Sequence, residues 1–169
     1  ASPTGDCAAG YYCTGGSSTA APLGGGGGDR CPAGSYCPSG SAIPLHCPAG
    51  TYSVREGIYN ASECEPCTAG MHCAMDGLVA PTGPCPERFY CPVGTANATL
   101  LCPYGFHCPQ GSAVPVTCAS GSYQDETGKA SCKQCPPGYF CNLEEKCLYS
   151  TVVMVDVFTT ANYTQPQVC

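Results

Sequence analysis

The chain has 169 residues, among them 18 cysteines, 22 glycines and 17 prolines, and it contains no tryptophan. Its formal net charge is −6, and six lysines and arginines are too few to form the basic surface that nucleic-acid binding requires. Leu, Ile, Val and Phe together number 23, about 14% of the chain, which argues against the apolar core of an ordinary globular domain.

The cysteine content predicts both the source of stability and the compartment. Cysteine exceeds 10% of the chain, as in disulfide scaffolds, and 18 cysteines allow nine bridges with no thiol left over. A bridge that closes a loop of about 15 residues contributes roughly 3 kcal/mol in the chain-entropy model. Because such bridges persist in oxidising compartments, the sequence predicts a secreted or cell-surface protein. No stretch approaches the ~20 apolar residues of a membrane span.

In chain order, the cysteines form repeats that hold two each. Short repeats read Cys-x5-Cys, and the Cys-Pro-x-Gly found in several of them is typical of tight turns. An aromatic residue just before the second cysteine, as at Tyr36, can shield the bridge. Two long repeats, residues 47–67 and 118–135, each run into Cys-x2-Cys. Taken by position, the cysteine pairs are Cys7 with Cys13, Cys31 with Cys37, Cys47 with Cys64, Cys67 with Cys73, Cys85 with Cys91, Cys102 with Cys108, Cys118 with Cys132, Cys135 with Cys141, and Cys147 with Cys169.

A larger period groups these repeats into two blocks. The spacings between successive cysteines from Cys7 to Cys73 are 6, 18, 6, 10, 17, 3 and 6. Those from Cys85 to Cys141 are 6, 11, 6, 10, 14, 3 and 6. We therefore expect one block at residues 1–73, with a flexible glycine-rich insert at 15–28, and a second block at 74–146. The predicted fold is a small, disulfide-rich, mostly irregular one, with short β-hairpins in the long repeats. Stacked repeats of this kind predict an elongated rod.

The long repeats, CPAGTYS…G…C-x2-C and CASGSYQ…G…SC-x2-C, resemble the ephrin-receptor-like cysteine-rich repeat, which is related to EGF-like and tumour-necrosis-factor-receptor-like modules. The intervening CPxGxYCPxGS stretches are similar to tandem arrays on surface proteins of protists and algae. This resemblance implies an extracellular, extended, disulfide-linked stalk, and it implies bridges Cys47–Cys64 and Cys118–Cys132. The short repeats are left with two alternatives: closure within each repeat, or interlocking, for example Cys7–Cys31 with Cys13–Cys37 and Cys85–Cys102 with Cys91–Cys108.

Metal binding and catalysis are weakly supported by the pattern. The two Cys-x2-Cys stretches have zinc-compatible spacing, with His72 or His107 as further ligands, but both histidines occupy the aromatic position of a disulfide repeat. His46 is the third histidine, and none of the three lies in a nucleophile motif. We expect no enzyme activity, no bound metal and no cofactor.

Acidic residues form no calcium loop. They lack the regular ligand spacing of such a loop, so a solvated surface is the better interpretation. These residues are Asp125, Glu126, Glu144 and Glu145.

Three Asn-x-Ser/Thr sequons agree with an extracellular location and predict N-linked glycans at Asn60, Asn97 and Asn162.

The C-terminal segment, residues 147–169, differs from the rest. LYSTVVMVDVFTT at 148–160 holds six of the 23 large aliphatic and Phe residues, has no Pro or Gly, and predicts a β-strand bounded by Cys147 and Cys169. A strand that is apolar on both faces and has no partner is a template for another chain. It alternatively begins a following domain or pairs with 161–168. The expected assembly residues are Val152, Val153, Met154, Val155, Val157 and Phe158.

Repetition, sparse charge and the apolar strand favour a structural glycoprotein of an extracellular fibre, surface coat or cell-surface or ciliary appendage. Its partner would be a second copy or a neighbouring extracellular domain. The alternative is an adhesion or receptor ectodomain stalk that binds a protein or glycan ligand.

Overall fold

The computed structural model describes residues 4–141. Within that range the protein is a small disulfide-rich fold of two-residue strands joined by turns, with a single 3₁₀ turn at Ala61–Glu63 and no α-helix. The predicted strand at 148–160, the Cys147–Cys169 pair and Asn162 lie outside the described residues. No helix in residues 4–141 has the length and apolar character needed to cross a membrane.

Each strand pair is an antiparallel hairpin. The twelve strands pair in chain order. The repeat that begins at Cys85 has an isolated bridge between Phe89 and Leu101 in place of a hairpin. The pairs are β1 Tyr11–Tyr12 with β2 Asp29–Arg30, β3 Ser35–Tyr36 with β4 Leu45–His46, β5 Thr51–Tyr52 with β6 Glu65–Pro66, β7 Met71–His72 with β8 Gly83–Pro84, β9 Phe106–His107 with β10 Val116–Thr117, and β11 Ser122–Tyr123 with β12 Lys133–Gln134.

The hairpins are not confined to the long repeats, so that expectation was too narrow. Only β5–β6 and β11–β12 lie in long repeats, and the other four pairs begin in short ones. The reason is the turn that opens each of the eight described repeats. In the second repeat, for example, Gly34 has φ +77 and the Ser35 N–H donates to the Pro32 carbonyl at 3.2 Å, which is a type II turn leading directly into β3.

Eight disulfides join the described cysteines, and each short repeat closes on itself. The interlocked alternative is absent from residues 4–141. Both bridges implied by the resemblance, Cys47–Cys64 and Cys118–Cys132, are present. The short bridges are Cys7–Cys13, Cys31–Cys37, Cys67–Cys73, Cys85–Cys91, Cys102–Cys108 and Cys135–Cys141. This number of bridges fits an extracellular or secreted protein.

The core consists almost entirely of these bridges. Among the described residues, every fully buried hydrophobic residue is a cysteine except Ile58, which packs with Cys47, Cys64 and the partly buried Tyr36. Large apolar side chains elsewhere are exposed, for example Ile43 at 68%. Cross-links therefore replace the packed aliphatic core that the composition could not supply.

The chain divides into two compact units. Of the described residues, the first unit contains those up to Pro84 together with Pro92–Asn97, and the second contains Cys85–Cys91 and those from Ala98 to residue 141. The short segment belongs to the first unit because Gly94 N–H donates to the Cys67 carbonyl at 2.8 Å and Cys73 N–H donates to the Thr95 carbonyl at 3.0 Å.

Candidate functional site

Consecutive repeats are joined by a regular series of backbone hydrogen bonds. The carbonyl of the first cysteine in one repeat accepts from a glycine N–H in the next repeat, at 2.7–2.8 Å, and each of these glycines has a positive φ. We call them the ladder glycines. They are Gly40, Gly57, Gly77 and Gly94 in the first unit, and Gly111 and Gly128 in the second; their acceptors are Cys7, Cys31, Cys47 and Cys67, and Cys85 and Cys102.

The residue three places after each ladder glycine is exposed, and we call this the outward position. Because the ladder fixes the backbone in the same way in these six repeats, the side chain at this position faces solvent in each of them. In the first unit the outward positions hold Ile43, Asn60, Ala80 and Asn97, and in the second they hold Val114 and Ser131.

Two predicted glycan sites therefore occupy the same place in their repeats. Asn60 and Asn97 are both exposed and both lie in the first unit, in alternate repeats. At the other outward positions of the first unit, Ile43 and Ala80 are each followed by proline, which is excluded from a sequon. The first unit thus alternates between a sequon and an apolar residue followed by proline.

Local hydrogen bonds hold Asn60 in place without using its side-chain nitrogen, Nδ2. Its Oδ1 accepts from the Ser62 N–H at 3.0 Å, while the Glu63 Oε2 accepts from the Asn60 N–H at 3.2 Å, so the pair forms a capping box on the 3₁₀ turn. No hydrogen bond within residues 4–141 involves the Asn60 Nδ2, the atom to which a glycan attaches. The sequon is therefore both rigid and accessible.

The Cys-x2-Cys stretches do not form metal knuckles. Cys64 is bonded to Cys47 and Cys67 to Cys73, so neighbouring sulfurs belong to different bridges, and Cys132 and Cys135 are separated in the same way. In the described part of the chain, one group of potential ligands converges, and it comprises His107, Cys118 and Cys132. Its two sulfurs are joined in a disulfide and cannot act as thiolate ligands.

The three histidines lie in different surroundings and form no catalytic set. His46 Nδ1 lies 3.2 Å from the Ser35 Oγ across the β3–β4 hairpin. His72 Nδ1 is buried and has no hydrogen-bond partner within residues 4–141. His107 Nδ1 lies 3.2 Å from the Cys132 Sγ. Catalysis by a base requires a nucleophile or a substrate group within reach, and only the serine beside His46 meets that requirement, without a third orienting residue.

The acidic residues of the second long repeat are paired with lysines. Lys133 Nζ contacts Asp125 Oδ1 and Glu126 Oε1, both at 2.6 Å, and Lys129 Nζ lies 2.7 Å from Glu126 Oε2. The hydrogen bonds that Lys129 and then Lys133 donate to Glu126 lower the pKa of that carboxyl to about 2. The hydrogen bonds that Lys133 donates to Asp125 and then Glu126 raise the pKa of the lysine. The carboxylates therefore have lysine partners, which fits a solvated surface. Glu144 and Glu145 lie outside the described residues.

Two fully buried polar residues were not predicted from the sequence. Ser53 and Gln124 stand six places after the first cysteine of the long repeats, where a short repeat has its second cysteine. Their exposures are 0% and 1%. Gln124 Nε2 donates to the Ser131 carbonyl at 2.7 Å, and Ser53 Oγ accepts from the Arg55 N–H at 3.2 Å. Aligning CPAGTYS with CPAGSYC would have revealed the position.

No protein-family model and no curated protein matches the chain, so the resemblance to the ephrin-receptor-like repeat stays a prediction.

Proposed function

We propose that this chain is a structural glycoprotein segment of an extracellular fibre, surface coat or cell-surface appendage. The observation that carries the proposal is the ladder: one backbone bond pattern repeats along each unit, and its buried side chains are almost all bridged cysteines. Such a scaffold specifies conformation and surface position. It presents no converged set of catalytic groups within residues 4–141, so we expect no enzyme activity.

N-linked glycans at Asn60 and Asn97 are part of this proposal. Both side chains are exposed and recur at the outward position, which would space the glycans regularly along the first unit. Removal of N-glycans from the secreted protein should convert the modified asparagines to aspartates, each detectable by mass spectrometry. Unmodified Asn60 and Asn97 in the native secreted protein would contradict this part of the proposal.

We propose that residues 148–160 bind a second copy of the chain, because this apolar segment without Pro or Gly is expected to form a β-strand that has no partner of its own. We would examine the secreted full-length protein by electron microscopy with no ligand added, and expect regular filaments. A variant that lacks residues 147–169 should remain monomeric, and it leaves no odd thiol because both Cys147 and Cys169 are removed. The matched control is Val93→Lys, which adds a charge at a residue that is 64% exposed and outside the strand, and should assemble normally.

The alternative, an adhesion or receptor stalk, has one observation in its favour. Ile43 and Val114 occupy equivalent outward positions in the two units and are 68% and 62% exposed, which leaves apolar side chains available to a ligand. Isolated molecules in the micrographs of the full-length protein would contradict assembly and favour this alternative.

A further inference from the structure

The second long bridge has a neighbour that the first one lacks. His107 lies in β9, opposite Val116 of β10, and that pairing brings its ring to the Cys118–Cys132 bridge two residues beyond Val116. His107 Nδ1 is 3.2 Å from the Cys132 Sγ, and its ligand atom and both sulfurs lie within 4.8 Å of one another. At the corresponding place in the first unit, Tyr36 packs beside the Cys47–Cys64 bridge.

The two sulfur positions of this bridge differ in exposure. Cys118 is 3% exposed, whereas Cys132 is partly exposed. In the first unit both cysteines of the long bridge are buried, Cys47 at 0% and Cys64 at 6%, with Ile58 packed against them. Of the four cysteines in the two long bridges, Cys132 is therefore the residue most open to a small molecule in solution.

We propose that Cys132 is a thiol-modification site, at which a small external thiol forms a mixed disulfide with His107 as the proton donor. Thiol–disulfide exchange requires an accessible sulfur to attack and a leaving sulfur whose thiolate is stabilised, and a neighbouring imidazolium provides that stabilisation. Cys132 supplies the first condition. A ring nitrogen of His107 lies within 4.8 Å of the Cys118 sulfur, the leaving group, and this places the imidazole where it can supply the second. This inference is independent of the proposed assembly function.

The reaction balances without any further reagent. The thiolate of the external thiol attacks the Cys132 Sγ, a new S–S bond forms there, and the Cys118–Cys132 bond breaks. Its electron pair goes to the Cys118 sulfur, which takes a proton from the protonated His107 ring. The sulfur of the external thiol is oxidised and that of Cys118 is reduced. The loop of residues 119–131 is then no longer closed by its bridge.

The experiment uses the secreted full-length protein and reduced glutathione as the probe, without denaturant. Free thiols are trapped with N-ethylmaleimide at successive times, and peptides are mapped by mass spectrometry. We expect glutathione on Cys132 and maleimide on Cys118 to appear first, with the Cys47–Cys64 bridge intact. The Cys7–Cys13 bridge is the control for exposure alone, because Cys13 is partly exposed and its sulfur has no imidazole contact within residues 4–141.

Replacing the ring separates its effect from exposure. His107→Tyr reproduces the first unit and should slow adduct formation at Cys132 by about tenfold, while leaving the Cys7–Cys13 rate unchanged. If that variant misfolds, His107→Asn serves the same purpose with a smaller side chain. An unchanged rate at Cys132 in the folded variant, adducts on Cys118, or earlier opening of the Cys7–Cys13 bridge would each overturn the proposal.

Discussion

In the first unit, the long bridge packs against Ile58 and Tyr36, whereas in the second unit His107 lies beside the long bridge and Lys129 takes the place of Ile58. The two places correspond because Cys37 N–H donates to the Ile58 carbonyl at 3.0 Å and Cys108 N–H donates to the Lys129 carbonyl at 2.8 Å. An apolar residue and a charged one thus occupy the same backbone position. The backbone bonds and bridges, rather than the side chains that cover them, are what the two units share.

The turn of the first repeat in each unit shows the same tolerance. Gly10 has φ +83, and a Cβ there would lie 2.5 Å from the Gly57 carbonyl oxygen. In the second unit this place is taken by Arg88, whose φ is +78 and whose Nε donates to the Gly128 carbonyl at 3.0 Å. A side-chain hydrogen bond to the ladder glycine thus offsets part of the cost of a left-handed arginine.

The largest expected difference between the units comes from Ile58→Ala. Removing a buried aliphatic side chain from a core that has no other should cost about 3 kcal/mol, because the cavity is lined by a rigid bridge. We would measure the free energy of local opening from hydrogen exchange at the Cys37 amide.

The matched change in the second unit is Lys129→Ala, read at the Cys108 amide. A much smaller loss is expected, since Lys129 is partly exposed and its contact is a surface ion pair. Equal losses in the free energy of local opening for Ile58→Ala and Lys129→Ala would contradict the expected difference between the two units.

A smaller effect is expected at the turn position. Gly10→Ala should cost about 2 kcal/mol, because the new Cβ meets a backbone oxygen in a conformation that L-residues rarely adopt. The readout is exchange at the amide of residue 10, which donates to the Cys37 carbonyl at 2.8 Å in the wild type.

Arg88→Gly is the reverse change, and its stability should stay within about 1 kcal/mol of the wild type. Relief of the left-handed conformation and loss of the Nε hydrogen bond oppose each other. A loss as large as that of Gly10→Ala would show that the arginine side chain, rather than the backbone, holds this turn.

Replacing the two buried polar residues should cost moderately different amounts of stability. Gln124→Ala leaves the Ser131 carbonyl and the Glu126 N–H without their partners and should cost about 2 kcal/mol, while Ser53→Ala should cost about 1 kcal/mol. Exchange at the Gly105 amide, which donates to the Gln124 carbonyl, and at the Gly34 amide, which donates to the Ser53 carbonyl, reports on each change. A larger loss at Ser53 would contradict this order.

The smallest effect is pH-dependent and belongs to the second unit. Because lysine contacts lower the Glu126 pKa from 4.5 to about 2, its charge stabilises the folded state above pH 4.5, and that contribution is lost as the pH falls toward 2. Glu126→Gln should therefore lower stability slightly at pH 6 and make no difference once the pH is well below 2. Carboxyl carbon NMR of Glu126 gives the titration directly.

Glu56→Gln is the control in the first unit, because Glu56 takes part in no ion pair within residues 4–141. It should leave the stability unchanged at both pH values. A Glu126 carboxyl that titrates at its ordinary value would remove the predicted pH dependence.

Much of the scaffold could be predicted from the sequence. The count and spacing of cysteines give the disulfide-rich fold class, and Cys-Pro-x-Gly gives the turns, because both are local: a loop of five residues and a φ above zero each depend on a few neighbouring residues. The composition likewise determined that bridges would replace an aliphatic core. The sequons can be identified from the sequence, but it does not show that Asn60 and Asn97 share the outward position.

Only the tertiary structure decided what depends on neighbouring repeats. Internal closure of the short repeats could not be separated from interlocking, because both use the same spacings. The ladder bonds and the contact of His107 with Cys132 each join residues that are distant in sequence. The identity of the side chains does not indicate which carbonyl accepts from a given glycine N–H. In the described repeats, that hydrogen bond determines where each outward side chain lies.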